Sequence, residues 1–105
     1  MTTQIVVAVY RPHPGKAEEM AALITRHVPL LRRQGLATDR APIVMRSADG
    51  SFVEVFEWDP AASDVPPHLI PAVREIWDAM EAIGDFATLS DLPESAGPHP
   101  SFTPV

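Results

Sequence analysis

Two apolar, strand-like runs, Pro42 to Ala48 (PIVMRSA) and Ser51 to Asp59 (SFVEVFEWD), meet at Asp49-Gly50, the dipeptide that most favours a tight type I′ hairpin turn. Nothing else in the chain limits the fold as strongly. A two-residue turn sets Ser47 opposite Phe52, Met45 opposite Glu54 and Ile43 opposite Phe56, and period-two alternation then sorts the side chains. One face carries Ile43, Met45, Phe52, Glu54, Phe56 and Trp58; the other carries Val44, Arg46, Val53, Val55 and Glu57. Both faces are mainly apolar. Because an antiparallel sheet usually gives one face to water, one face should sit under helices while the other needs a further cover, which a partner sheet would supply.

Elements on either side complete the pattern. Gln4 to Tyr10 (QIVVAVY) is rich in β-branched residues and closes in Arg11-Pro12-His13-Pro14-Gly15, as a buried strand followed by a turn does. From Lys16 to Gln34, Met20, Leu23, Ile24, Val28 and Leu31 recur at three- and four-residue steps before Gly35, so a helix is expected, kinked near Thr25 and Arg26 by Pro29. A second helix is expected from Pro71 to Ile83, with Leu69, Val73, Ile76, Met80 and Ile83 as its apolar stripe. Phe86 to Leu89 reads as a fourth strand. The order β-α-β-β-α-β predicts an α+β, ferredoxin-like fold: a four-stranded antiparallel sheet with two helices on one face. Residues 1–92 form that domain. Residues 93–105 form an extended, Pro-rich tail carrying Phe102, either disordered or laid across a partner subunit.

At 105 residues there is room for one core, and a large leftover apolar face on so short a chain is better covered by a second copy than by water. A homodimer is therefore expected. Eight Lys and Arg against fourteen Asp and Glu give a formal charge of -6, which disfavours nucleic acid and anionic membrane surfaces as partners. The chain has no cysteine, so packing must supply its stability. The opening Met1-Thr-Thr-Gln lacks the features of a secretion signal, and no apolar run approaches the ~20 residues that span a bilayer; a cytoplasmic location is the default expectation. His13, His27, His68 and His99 are scattered without ligand spacing, so no metal is expected. Neither a dinucleotide-binding, a Walker-type nor a GxSxG pattern occurs, so no cofactor is expected and hydrolase chemistry has no support.

From Ile5 to about Leu92 the chain resembles the antibiotic-biosynthesis-monooxygenase-like group of the dimeric α+β-barrel superfamily. The segments IVVAVYRPHPGK, LLRRQGLATDR, ADGSFVEVFEW and PPHLIPAVREIWDAM carry the resemblance. The closing DLPES and PSFTPV look like the tail of a bacterial subgroup of this fold that brings no assigned activity. The resemblance implies two subunits whose sheets meet as a barrel, with a pocket in each between sheet and helices. Members include cofactor-independent monooxygenases, haem-degrading enzymes and proteins without demonstrated chemistry. Trp58 and His68 stand in places comparable to a tryptophan and a histidine that recur in monooxygenase-like members, although the intervening DPAASDVPP departs from the usual helical lead-in. The first-strand asparagine of haem-degrading members has no counterpart, since the chain contains no asparagine.

His68, just ahead of the second helix, is the expected catalytic base, because the helix dipole there disfavours an imidazolium; the alternative is a surface or capping histidine. His27 shares a helical face with Met20, Ile24 and Leu31 and should point inward, either as a satisfied core residue or as part of a pocket. Glu54, flanked by Phe52 and Phe56, must find a partner or resist ionisation; it is a site candidate or an interface residue paired with a partner's arginine. Tyr10 and Trp58 end strands where a pocket mouth forms, and Glu57 is placed to pair with Arg46. Two functions follow: a cofactor-independent, monooxygenase-like enzyme acting on a small aromatic or polyketide-like compound, with His68 as base and Tyr10, Glu54, Trp58 and His27 about the substrate; or a non-catalytic homodimer that binds a small apolar or aromatic ligand.

Overall fold

A computed structural model describes residues 2–105. Its elements are β1 (Gln4–Pro12), α1 (Ala17–Arg33), β2 (Ile43–Arg46), β3 (Phe52–Trp58), α2 (Pro71–Ile83), β4 (Gly84–Ala87) and β5 (Thr103–Pro104). The sheet is antiparallel, in the order β4-β1-β3-β2-β5. This α+β architecture is consistent with the ferredoxin-like expectation, but it has five strands rather than four. The added strand is the tail, where Thr103 pairs with Arg46 and Pro104 with Met45.

Both helices lie on the face that carries Tyr10, Phe52 and Phe56. Met20 and Ile24 of α1 meet Ile76 and Met80 of α2 over Tyr10 and Phe52, and Val28, Leu31 and Val73 close over Phe56. Each helix presents one apolar stripe, so burying both against one sheet face makes a single core. α1 runs unbroken through Pro29, which is exposed, so the hydrogen bond that proline forfeits falls on the solvent side.

The hairpin differs from expectation by one residue. Its loop holds three residues, Ala48, Asp49 and Gly50, closed by Ser47 N–H donating to the Ser51 carbonyl at 2.8 Å. Gly50 takes φ 91°, the left-handed position that ends such a loop in a bulge. The register becomes Arg46 opposite Phe52 and Val44 opposite Glu54, and a one-residue slip turns every β2 side chain over. Val44 and Arg46 therefore share the helix-covered face with Glu54, and the Arg46 guanidinium lies 4.3 Å from the Phe52 ring centroid. The expected Arg46–Glu57 pair does not form. Glu57 instead meets Arg40 at 3.4 Å and accepts from the Thr38 hydroxyl at 2.9 Å.

The tail covers its own subunit. After two 3-10 turns, Leu89–Asp91 and Pro93–Ala96, it returns to the β2 edge, and Leu92 and Phe102 pack on Val9 and Val53 across the second sheet face. Glu94 fastens it to the hairpin, accepting from the Ser47 hydroxyl at 2.7 Å and the Ala48 N–H at 2.8 Å. The cover is partial. Ile5, Val7 and Ile43 stay 54%, 43% and 58% exposed on that face. Among the described residues no helix is long and apolar enough to cross a membrane.

Candidate functional site

The site grows from β1 and β3. Ala8 pairs with Glu54 and Tyr10 with Phe52, which makes Tyr10 and Glu54 diagonal neighbours on one face. A long side chain can span that diagonal, and the small Ala8 leaves it room. The Tyr10 hydroxyl donates to Glu54 Oε1 at 2.8 Å. From above, the α1 stripe brings down His27, whose Nδ1 lies 2.8 Å from the same oxygen. On α2, Trp77 Nε1–H donates to His27 Nε2 at 3.0 Å. Four side chains from four elements thus form one chain of hydrogen bonds.

Donor and acceptor capacity fixes the protons. An indole N–H can only donate, so His27 Nε2 must accept, and Nδ1 carries the ring proton and donates to Glu54. Glu54 Oε1 therefore receives two donors and Oε2 receives none; that second oxygen is buried without a partner, on a residue 0% exposed. A carboxylate in such a place is costly, and two short donors offset part of the cost. The Tyr10 phenol is strongly affected by this setting. Burial above all, then the Glu54 charge and the hydrogen bond made to it, push the phenol far above its ordinary value of 10.0.

Beside this network lies a cavity of about 370 Å³ lined by Tyr10, His27, Phe56, Trp58, Trp77 and Phe86, with the Val6 to Val9 stretch of β1 along one wall. It exists because β4 is short. β4 pairs only with Val9 to Pro12, so the edge of β1 before Val9 has no strand beside it and the space between sheet and α2 opens there. A mostly apolar cleft of a few hundred Å³ with a few converging polar groups is the usual form of a small-molecule site.

Tyr10, His27 and Trp58, singled out in the sequence, line this cavity, and Glu54 stands directly behind two of them. His68 does not join them. It is exposed, in the 3-10 turn Pro67–Leu69, because Pro60, Pro66 and Pro67 break the lead-in into two short turns and α2 starts only at Pro71. It lies just ahead of α2, as expected, but outside the cavity lining. Trp77 was missed: it flanks the Val73, Ile76 and Met80 stripe and reads as core. Its position one residue after Ile76, at the stripe's margin, was the available signal. Among the described residues no group of acidic and histidine side chains is arranged to hold a metal.

Searches against family models, curated proteins and solved structures find no match to the chain.

Proposed function

We propose that the cavity takes up a small, mainly apolar, planar compound with an acidic proton, and that His27, backed by Glu54, removes that proton in a cofactor-independent, monooxygenase-like reaction. The observation that carries this is the Glu54 carboxylate held on His27 Nδ1–H at 2.8 Å in the cavity wall. With Nδ1 tied to a carboxylate, Nε2 is the ring's basic nitrogen, and the imidazolium formed when it accepts a proton is paired at once with Glu54. The resulting carbanion would reduce O₂. For a methylene substrate, one oxygen atom ends as the new carbonyl and the other leaves as water with the two hydrogens. The resemblance to the monooxygenase-like group supports the same reading.

The test separates proton removal from oxidation. Under anaerobic conditions in D₂O, a two- or three-ring phenol with an acidic C–H should exchange that hydrogen faster with the protein than without it. His27→Gln and Glu54→Gln should abolish the gain, and O₂ uptake should follow on admitting air. Absence of exchange across a panel of such compounds, all of which bind, would sink the proposal.

One observation favours the non-catalytic alternative: the acceptor of His27 is already occupied by Trp77. A binding protein would show saturable thermal stabilisation with neither exchange nor O₂ uptake.

We also propose a homodimer closed through the second sheet face as an α+β barrel. Val7 and Ile43 both pair with the half-buried Val55, which makes one contiguous apolar strip with Ile5. The tail covers the neighbouring Val9 and Val53 and stops short of this strip. Native mass spectrometry should give the mass of two chains, and Val7→Lys the mass of one. A parent protein that is monomeric at micromolar concentration would refute the assembly.

A further inference from the structure

The bond that closes His27 is also the one polar contact in the cavity that a ligand can open. Of the polar side-chain groups in its wall, the Tyr10 hydroxyl is given to Glu54 at 2.8 Å and the Trp58 N–H is buried without a partner. The remaining donor and acceptor, Trp77 Nε1–H and His27 Nε2, face one another at 3.0 Å. Their rings are 6.5 Å apart at the centroids and tilted by 55°, so they meet through the hydrogen bond and not through a stack. Parting them costs that bond and whatever packing the indole gives up on the core. One half is fixed: His27 is 2% exposed and tied to Glu54. The other half is less enclosed: Trp77 is half-buried on α2, packed along one side on the core and open to the cavity on another.

We infer that Trp77 and His27 act as a bracket for a ligand hydroxyl, which enters by inserting its oxygen between indole and imidazole. Among the oxygen groups of a simple ring compound, a hydroxyl replaces both halves of the bond with one atom, donating to His27 Nε2 and accepting from Trp77 Nε1–H. A ketone or ether satisfies Trp77 and leaves the imidazole nitrogen buried without a donor. An apolar ring satisfies neither. Since a stranded buried partner weakens binding on the order of 5- to 150-fold, the bracket selects a phenol or enol over its methyl ether by that factor. Trp77 is then a positioning and specificity residue, and the inference rests on the cavity of the proposed function as a binding site, without needing its chemistry.

The experiment uses the full-length protein and two probes that share one ring system, 2-naphthol and 2-methoxynaphthalene. Calorimetry gives both dissociation constants, and ¹⁵N spectra follow the Trp77 indole signal, identified by its loss in Trp77→Phe. The expected result is a preference of at least about 5-fold for the naphthol, with the Trp77 indole signal shifting along the same saturation curve. Equal affinities would overturn the bracket. So would naphthol binding that leaves the Trp77 indole signal in place, or failure of both probes to bind. Selective binding with the indole shift, but no deuterium exchange in the anaerobic test, would uphold the bracket and remove the proposed catalysis.

Discussion

Replacing Glu54 tests whether the buried network is real. In Glu54→Leu the Tyr10 hydroxyl and His27 Nδ1–H lose their only acceptor, and both residues are at most 4% exposed. Each stranded donor costs about 1–3 kcal/mol, so the variant should lose roughly 2–6 kcal/mol, less whatever is recovered by removing a carboxylate with one unpartnered oxygen. Glu54→Gln keeps an acceptor at Oε1 and gives up only charge assistance, so it should stay within about 2 kcal/mol of the parent. Urea unfolding at one fixed protein concentration reads both, the concentration being held because an assembly that binds only the native state adds to its stability. With a slope of about 2 kcal/mol/M, the leucine midpoint falls by roughly 1–3 M. A double-mutant cycle sharpens the result: on a Tyr10→Phe background one donor is already gone, and Glu54→Leu should cost about 1–3 kcal/mol less. A leucine variant as stable as the glutamine one, or a cycle without coupling, would refute the network.

Three further expectations follow from the same structure. Tyr10 is the only tyrosine, and its pKa is raised in the folded state by burial first and Glu54 second; the stability this brings is complete below the unfolded value of about 10 and is lost as pH climbs above it, so phenolate absorbance should appear only together with loss of circular dichroism, and phenolate in a still-folded protein near pH 10 would contradict the burial. Gly84→Ala places a Cβ 2.6 Å from both the Arg11 carbonyl oxygen and Met20 Cε; it should cost about 1–3 kcal/mol in urea unfolding, against almost nothing for Gly97→Ala, where nothing lies within 4 Å. The Ala48 N–H, then the Ser47 hydroxyl, hold the Glu94 carboxyl below its ordinary 4.5; this tie between tail and hairpin is fully present above that pH and lost as pH falls through the lower folded value, so the Ala48 amide resonance should titrate with a midpoint under 4.5 and cease to do so in Glu94→Gln.

What the sequence revealed and what it concealed divide along a physical line. Periodicity says which side chains look inward, and it placed His27, Glu54 and, on α2, Val73, Ile76 and Met80 correctly, while Leu69, in the 3-10 turn before the helix, is 60% exposed. Turn chemistry is degenerate. Asp49-Gly50 serves a two-residue loop and, equally, the end of a three-residue loop with Gly50 in the left-handed region, and the difference reversed the faces of Val44, Arg46, Ile43 and Met45. The tail misled for another reason. Its prolines rule out a long helix but leave open what it leans on, and Leu92 and Phe102 found the uncovered face of their own sheet. His68 does lie just ahead of α2, but in an exposed 3-10 turn that follows Pro66 and sits apart from the cavity, a separation that helix position alone does not reveal.

The site itself is a matter of register between distant segments, which no local pattern contains. Tyr10 reaches Glu54 across 44 positions of sequence and His27 reaches Trp77 across 50. The first contact depends on Ala8 sitting opposite Glu54; a one-residue slip of β1 against β3 would turn the carboxylate out of reach of the phenol. That register is held by the apolar neighbours on the same face, Phe52 opposite Tyr10 and Phe56 opposite Val6, and the hairpin slip left it intact because it moved β2 and not β3. Glu54 is the only buried acidic residue among those described. A leucine there, with phenylalanine for Tyr10, would remove the buried carboxylate and phenol and still leave His27 Nδ1–H without an acceptor. Carboxylate, phenol and imidazole thus stand or fall as one buried line beside an apolar cavity, and taking out any one of them deprives a neighbour of a hydrogen-bond partner.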